Sequence, residues 1–171
     1  MEFFYSKSKK DGSIVCGRDD WKRILSAFWV HHIEYKGKKF ASIEMAFHWE
    51  KFKRTDKPEL GDIYILGGPF DNEPARGKSY SGKGSMKKLG CTLDVKKWGV
   101  DSKKIMWILI VTRAIQDELF TNIIINSPKP LLHFERNKKP IYGCYRCKIT
   151  GEIHGENYYG KCLERLSKEL K

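Results

Sequence analysis

The segment Phe40-Ala41-Ser42-Ile43-Glu44-Met45-Ala46-Phe47-His48-Trp49-Glu50-Lys51-Phe52 constrains the fold more than any other part of this chain. Its periodicity is helical, and its polar residues are not scattered. Glu44, His48 and Lys51 stand at i, i+4 and i+7, so one stripe carries a carboxylate, an imidazole and an ammonium. Ile43, Phe47 and Trp49 point elsewhere and can anchor the helix in a core. Ser42 is placed to cap the N-terminus, its hydroxyl accepting from an amide of the first turn. Glu44 then lies within a turn of the positive helix end, where the macrodipole favours an ionised carboxylate. Two readings are open at this point. An ionised acid on a rigid element suits a reaction that builds positive charge, but Glu–His–Lys stripes also commonly face water and serve only the helix.

The 171 residues are enough for one domain with a core of its own, so a single domain spanning 1–171 is expected. The longest apolar run, Ile105-Met106-Trp107-Ile108-Leu109-Ile110-Val111, is too short to span a bilayer. The start, Met1-Glu2-Phe3-Phe4-Tyr5-Ser6-Lys7, lacks the basic-then-apolar pattern of a secretory signal. An odd set of cysteines (Cys16, Cys91, Cys144, Cys147, Cys162) without framework spacing points to a reducing, cytoplasmic setting. No membrane association is expected, and the sequence does not fix an oligomeric state.

Along the chain, Glu2 to Tyr5 reads as a short strand. Phe28 to Phe40 reads as a hairpin, with Trp29, His31, Ile33 and Tyr35 alternating and Tyr35-Lys36-Gly37-Lys38 at the turn. The helix from Ser42 runs to about Lys53, and Thr55 to Asn72 gives a short helix and loop. Asp101 is expected to cap the strongest helix, with Ile105, Ile108, Leu109, Thr112, Ile115 and Leu119 as its core stripe. A second helix runs from about Asp117 to Asn126, stopped by Pro128 and Pro130. Leu131–Glu135 and Tyr145–Ile149 read as strand or extended loop. The last helix follows Asn157, with Tyr159, Cys162, Leu163, Leu166 and Leu170 on its buried stripe. The pattern as a whole is α+β and dominated by helix.

Charge is uneven as well as high. The formal net charge is +12, and between Arg76 and Lys104 nine basic residues face two acidic ones, a net of +7 in about one sixth of the chain. Such a concentration attracts phosphates or nucleic acid, although a solvated lysine-rich surface reads the same way. Within it, Arg76-Gly77-Lys78-Ser79-Tyr80-Ser81-Gly82-Lys83-Gly84-Ser85 is glycine-rich, and a mobile basic loop is expected over about 76–90. It is not a phosphate-binding P-loop. The Gly77-Lys78-Ser79 triplet needs a glycine where Asn72 stands, and no strand precedes it closely. Cys144-x-x-Cys147 with His154 and Cys162 supplies only half of a zinc-site pattern, so no metal and no cofactor are expected.

Taken in order, these pieces resemble the NADAR family, also called the YbiA-like fold family, over nearly the whole chain. Phe4-Tyr5-Ser6 resembles its opening strand and Leu25-Ser26-Ala27-Phe28 its Leu-Ser-Asn-Phe signature. Gly37 through Phe52 is similar to its hairpin and Ser-x-Glu helix, and Met86-Lys87-Lys88-Leu89-Gly90 to its basic glycine turn. Lys97-Trp98 with Met106 is similar to its Trp followed by Val-Met. Tyr142-Gly143-Cys144 occupies the place of its Trp-Gly motif, and Gly155-x-Asn157-x-x-Gly160 closes the pattern.

The resemblance implies a compact, helix-rich α+β domain of the YbiA-like kind with a small N-terminal hairpin, and an enzyme that hydrolyses N-glycosidic bonds. It implies as substrates either ADP-ribose attached to guanine in nucleic acid or phosphoribosylamino intermediates of riboflavin synthesis. Glu44 becomes the catalytic carboxylate. Trp98, Tyr142, Gly143 and Asn157 become pocket residues, with His48, Lys51, Lys87 and Lys88 as further substrate contacts. Three departures stand out: Ala27 replaces an asparagine, Tyr142 replaces a tryptophan, and Pro140, Lys139 and Cys144 stand where an acid often flanks the Trp-Gly pair. If that acid assists the leaving group, this chain must use another one. The altered motif also keeps open a non-catalytic module that binds ADP-ribose or nucleic acid.

Overall fold

A computed structural model describes residues 3–137 and 139–171. The fold is α+β and helix-dominated, with small two-stranded sheets. In chain order the elements are β1 (Phe3–Phe4), α1 (Trp21–Ile24), β2 (Ile33–Tyr35), β3 (Lys38–Phe40), α2 (Ile43–Phe52) and a 3-10 helix (Pro58–Tyr64). There follow α3 (Pro74–Tyr80), α4 (Lys83–Lys88), α5 (Val95–Gln116), α6 (Glu118–Asn126), β4 (Leu132–His133), β5 (Tyr145–Arg146), β6 (Ile153–His154) and α7 (Tyr158–Glu169). They gather into two compact units, one formed by Ala27–Gln116 and one by Met1–Ser26 with Asp117–Lys171.

In the Ala27–Gln116 unit, β2 and β3 pair antiparallel with Ile33 opposite Phe40 and Tyr35 opposite Lys38. Lys36 and Gly37 both take positive φ (50° and 70°), the geometry a two-residue hairpin turn needs to match strand twist. α2 packs against the 3-10 helix, α5 and α3. Ser42 caps it as expected: the residue is extended, and its hydroxyl accepts from the Met45 amide at 3.3 Å. Ile43, Met45, Ala46 and Phe52 are wholly buried, and Lys51 is the one half-buried residue of the helix.

Two expectations for this unit are corrected. The basic stretch over 76–90 is not a loop: it forms α3 and α4, with Ser81 and Met86 buried between and within them. Pro74 pre-sets the first turn of α3. The Tyr64 hydroxyl donates to Gly77 O at 2.8 Å, and Lys57 Nζ donates to Leu89 O at 2.9 Å. Gly77 is glycine for close approach, because a Cβ there would meet Met45 Cε at 2.8 Å. The long helix also starts earlier than Asp101. Asp94 accepts from the Lys97 amide at 3.0 Å and caps α5, while Asp101 lies inside the helix and reaches Arg54 at 3.3 Å. The buried face of α5 is Ser102, Ile105, Met106, Leu109, Ile110 and Arg113, whereas Ile108 and Ile115 are exposed. A fully buried arginine in the stripe is what hid its phase.

In the other unit, β1 runs parallel to β4, with Phe3 opposite Leu132 and Phe4 opposite His133. Glu2, the expected first residue of that strand, lies outside the described residues. α6 is capped by Asp117, which accepts from the Phe120 amide at 3.0 Å, and α6 and α7 pack together. The buried stripe of α7 contains Tyr159, Cys162, Leu163 and Leu166 as expected; Leu170, past the helix end, is exposed. Among the described residues no helix is long and apolar enough to cross a membrane.

Candidate functional site

The polar stripe of α2 does not face water. Glu44, His48 and Ser81 are 6%, 5% and 1% exposed. The Glu44 amide donates to Ala27 O at 3.0 Å, which fixes the first turn of the helix. One helical turn on, His48 Nε2 lies 2.8 Å from Glu44 Oε1, and its other nitrogen, Nδ1, lies 2.7 Å from Ser81 Oγ. Lys51, a further turn along, donates from Nζ to Ser81 O at 2.5 Å. One serine is therefore held by its side chain through His48 and by its main chain through Lys51.

Burial pushes the Lys51 ammonium below its ordinary value, and the Glu44 charge partly restores it. Tyr64, whose ring centroid is 5.6 Å from that of His48, has its phenol pushed well above the ordinary value. Burial is the main cause there, opposed by Ser81 and reinforced by Tyr80 and Glu44.

The sequence stripe thus meets two residues it did not announce, Ser81 and Tyr64. Ser81 was hidden because its glycine-rich surroundings read as a loop. Trp98 on α5 is half-buried and sits against Phe47, ring centroids 5.2 Å apart at 52°, and Phe47 in turn lies edge-on to His48 at 5.7 Å. Lys87 and Lys88, at the end of α4, are exposed.

Tyr142, Gly143 and Asn157 belong to the other unit, where they form a second constellation. Asn157 has left-handed backbone (φ 50°) and spends its amide on the main chain. Its Oδ1 accepts from the His133 amide at 2.9 Å, and its Nδ2 donates to Leu131 O at 2.9 Å. Its own amide donates to Gly143 O at 3.0 Å, and the Tyr159 amide donates to Tyr142 O at 2.9 Å. Tyr142 is half-buried, its ring 6.1 Å from that of Tyr158. A carboxylate does reach this pair in space: Glu135 Oε2 accepts from the Gly143 amide at 2.8 Å, and its Oε1 accepts from Asn137 Nδ2 at 2.7 Å. A carboxylate eight residues upstream reaches the position because Phe134 and Cys144 form a parallel bridge.

Burial pushes the Cys144 thiol up to about 11, a hydrogen bond from Thr150 lowers that of Cys147, and His154 stacks on Tyr145 at 5.5 Å. Among the described residues no group of three or more His, Cys, Asp or Glu side chains is placed to hold a metal ion.

Comparison with protein-family models, with curated proteins and with solved structures returns no match. What can be said of the site therefore comes from its chemistry. A carboxylate oriented by an imidazole, withdrawn from water near the start of a helix, can stabilise a developing cation or exchange a proton with a bound molecule.

Proposed function

We propose that this protein is an N-glycosidase that hydrolyses the C1′–N bond of an ADP-ribosyl or phosphoribosyl conjugate, with Glu44 as the catalytic carboxylate. The observation that carries this reading is the burial of Glu44 on the first turn of α2 with His48 Nε2 at 2.8 Å. Breaking the bond builds oxocarbenium character on the ribose, and a low-dielectric carboxylate stabilises that charge where the ground state has none. Glu44 can in addition take the proton of the attacking water. Trp98, against Phe47, offers a flat apolar wall for a base or sugar.

Among the two substrate classes, an ADP-ribosyl group on guanine in nucleic acid is favoured, because Lys87, Lys88, Lys96 and Lys97 are exposed within the segment that carries net +7. The five cysteines are free thiols, which suits a reducing cytoplasm.

The test is to incubate the protein with ADP-ribosylated DNA and, separately, with phosphoribosylaminopyrimidines, watching by mass spectrometry for a freed sugar. Release from the DNA conjugate is expected, with Glu44→Gln lowering kcat about 10²-fold or more while circular dichroism stays unchanged. A well-folded Glu44→Gln protein that hydrolyses at the wild-type rate would reject the assignment. Binding of the conjugate without any release would make the protein a non-catalytic reader instead.

A further inference from the structure

We infer that Ser81 is a positioning residue for Glu44, acting through His48 by donating its hydroxyl hydrogen to the ring Nδ1. This rests on the reading of Glu44 as the catalytic carboxylate, but it is decided by separate measurements. Ser81 has one hydroxyl hydrogen and three acceptors near it, His48 Nδ1 at 2.7 Å, Lys78 O at 3.2 Å and the Tyr64 phenol oxygen, whose own hydrogen goes to Gly77 O. Glu44 Oε1 is the acceptor that claims the Nε2 hydrogen, which leaves Nδ1 to accept from Ser81 at 2.7 Å. Nε2–H then donates to Glu44 Oε1 at 2.8 Å, and the orientation of the carboxylate is set.

The reverse arrangement is poor. With the proton on Nδ1, the Nε2 lone pair would face a carboxylate oxygen at 2.8 Å, and only a second proton could relieve two acceptors in contact. The Ser81 hydroxyl thus separates a one-proton pair, with Glu44 ionised and His48 neutral, from a two-proton pair.

The setting makes Ser81 a firm anchor. It is 1% exposed, its carbonyl is tied to Lys51 Nζ, and it follows directly on α3. The titratable groups facing the pair are Lys51 on α2 itself and Tyr64 on the 3-10 helix, the latter lying in turn against Tyr80 on α3. On α5, Asp101 is engaged by Arg54. Lys51 and Tyr64 are themselves displaced by burial towards their neutral forms, and they leave Ser81 as the hydrogen-bond partner that sets the ring.

The first experiment needs no substrate. In 15N-labelled full-length protein at neutral pH, the His48 ring should give an unprotonated Nδ1 and a protonated Nε2. A proton on Nδ1 overturns the inference whatever the fate of the hydrolase reading. The second uses Ser81→Ala and Ser81→Thr, each checked for folding by circular dichroism. Ser81→Ala should shift the His48 Nδ1 signal, which loses its hydrogen-bond donor, without moving the proton from Nε2, lower kcat about tenfold with KM held, and move the acid limb of the pH–rate profile to lower pH. The reason is that losing the hydroxyl strands a buried Nδ1–H donor more severely than a lone pair. Ser81→Thr, which keeps the hydroxyl, should restore the signal. A Ser81→Ala protein with unchanged ring-nitrogen signals and an unchanged pH profile would reduce Ser81 to packing.

Discussion

At the scale of single residues, α2 carries two buried glutamates with opposite designs. Glu50 is 1% exposed and saturated by partners: it accepts from Tyr35 Oη at 2.7 Å and from Lys36 Nζ at 2.6 Å, and it pairs with Arg54 Nη1. Burial alone would raise its carboxyl, yet Lys36, Tyr35 and Arg54 together bring it below the ordinary value of 4.5. Two cations around one carboxylate are a lock, whereas Glu44 is oriented by an imidazole that can change its proton count. The sequence named Glu44 through its spacing to His48. It gave no hint of Glu50, because Tyr35 and Lys36 reach it from the hairpin, 15 and 14 residues away.

A depressed folded-state carboxyl contributes stability that is fully present above the unfolded value and is lost as pH falls through the folded value. Glu50→Gln should therefore cost about 1 kcal/mol at pH 7, since Lys36 and Arg54 lose their counter-charge but remain open to solvent that screens the loss. The gap between wild type and variant should narrow as pH drops below 4.5. Urea unfolding at pH 7 and at successively lower pH measures both; a gap independent of pH would show that the carboxyl carries no net electrostatic stability.

At the scale of elements, legibility followed local chemistry. The Ser42 cap, the Lys36-Gly37 turn and the start of α6 near Asp117 each rest on contacts within a few residues, and each was readable. The start of α5 was not, because Val95, Gly99 and Val100 are weak helix formers and Asp101 imitates a cap. The ordering of 76–90 was not either, because Tyr64 and Lys57 supply it from outside the segment.

In the Gly155-x-Asn157-x-x-Gly160 motif, for which the resemblance implies a pocket role, the structure shows main-chain bonds and close packing. A Cβ on Gly160 would stand 2.1 Å from Leu131 O and 2.6 Å from both amide atoms of Asn157, the side chain that ties β4 to the start of α7. Gly160→Ala must push α7 away from β4 or break the Asn157 bonds. Overpacking of this kind against backbone should cost about 3 kcal/mol. A thermal melt within a degree or two of wild type would show that α7 yields without strain.

At the scale of the whole molecule, the α+β class was legible in the residue pattern, but the division of the chain into two compact units was not, because it depends on long-range pairings such as Phe3 with Leu132. That division also separates the predicted site residues, with Glu44, His48, Lys51, Lys87, Lys88 and Trp98 in one unit and Tyr142, Gly143 and Asn157 in the other. Charge is the property that composition gave most directly, and it yields the sharpest test between the two substrate classes. Lys83, Lys87, Lys88, Lys96, Lys97 and Lys104 are all exposed, so each is available to a phosphate.

A nucleic-acid conjugate touching several of them releases a counterion at each contact, and log K should fall with log salt at a slope of about −0.9 per phosphate on duplex DNA. A lone phosphoribosyl group engages one or two cations and should give a slope near −1 to −2. Binding of ADP-ribosylated duplex DNA to the Glu44→Gln protein, which removes turnover from the measurement, should therefore weaken steeply between low and physiological salt. Replacing both Lys87 and Lys88 by glutamine should make that slope shallower by about 2 units while leaving the His48 ring-nitrogen signals unchanged. A slope no steeper than that of a free phosphoribosyl compound would assign these lysines to solvation and move the substrate to the small-molecule class.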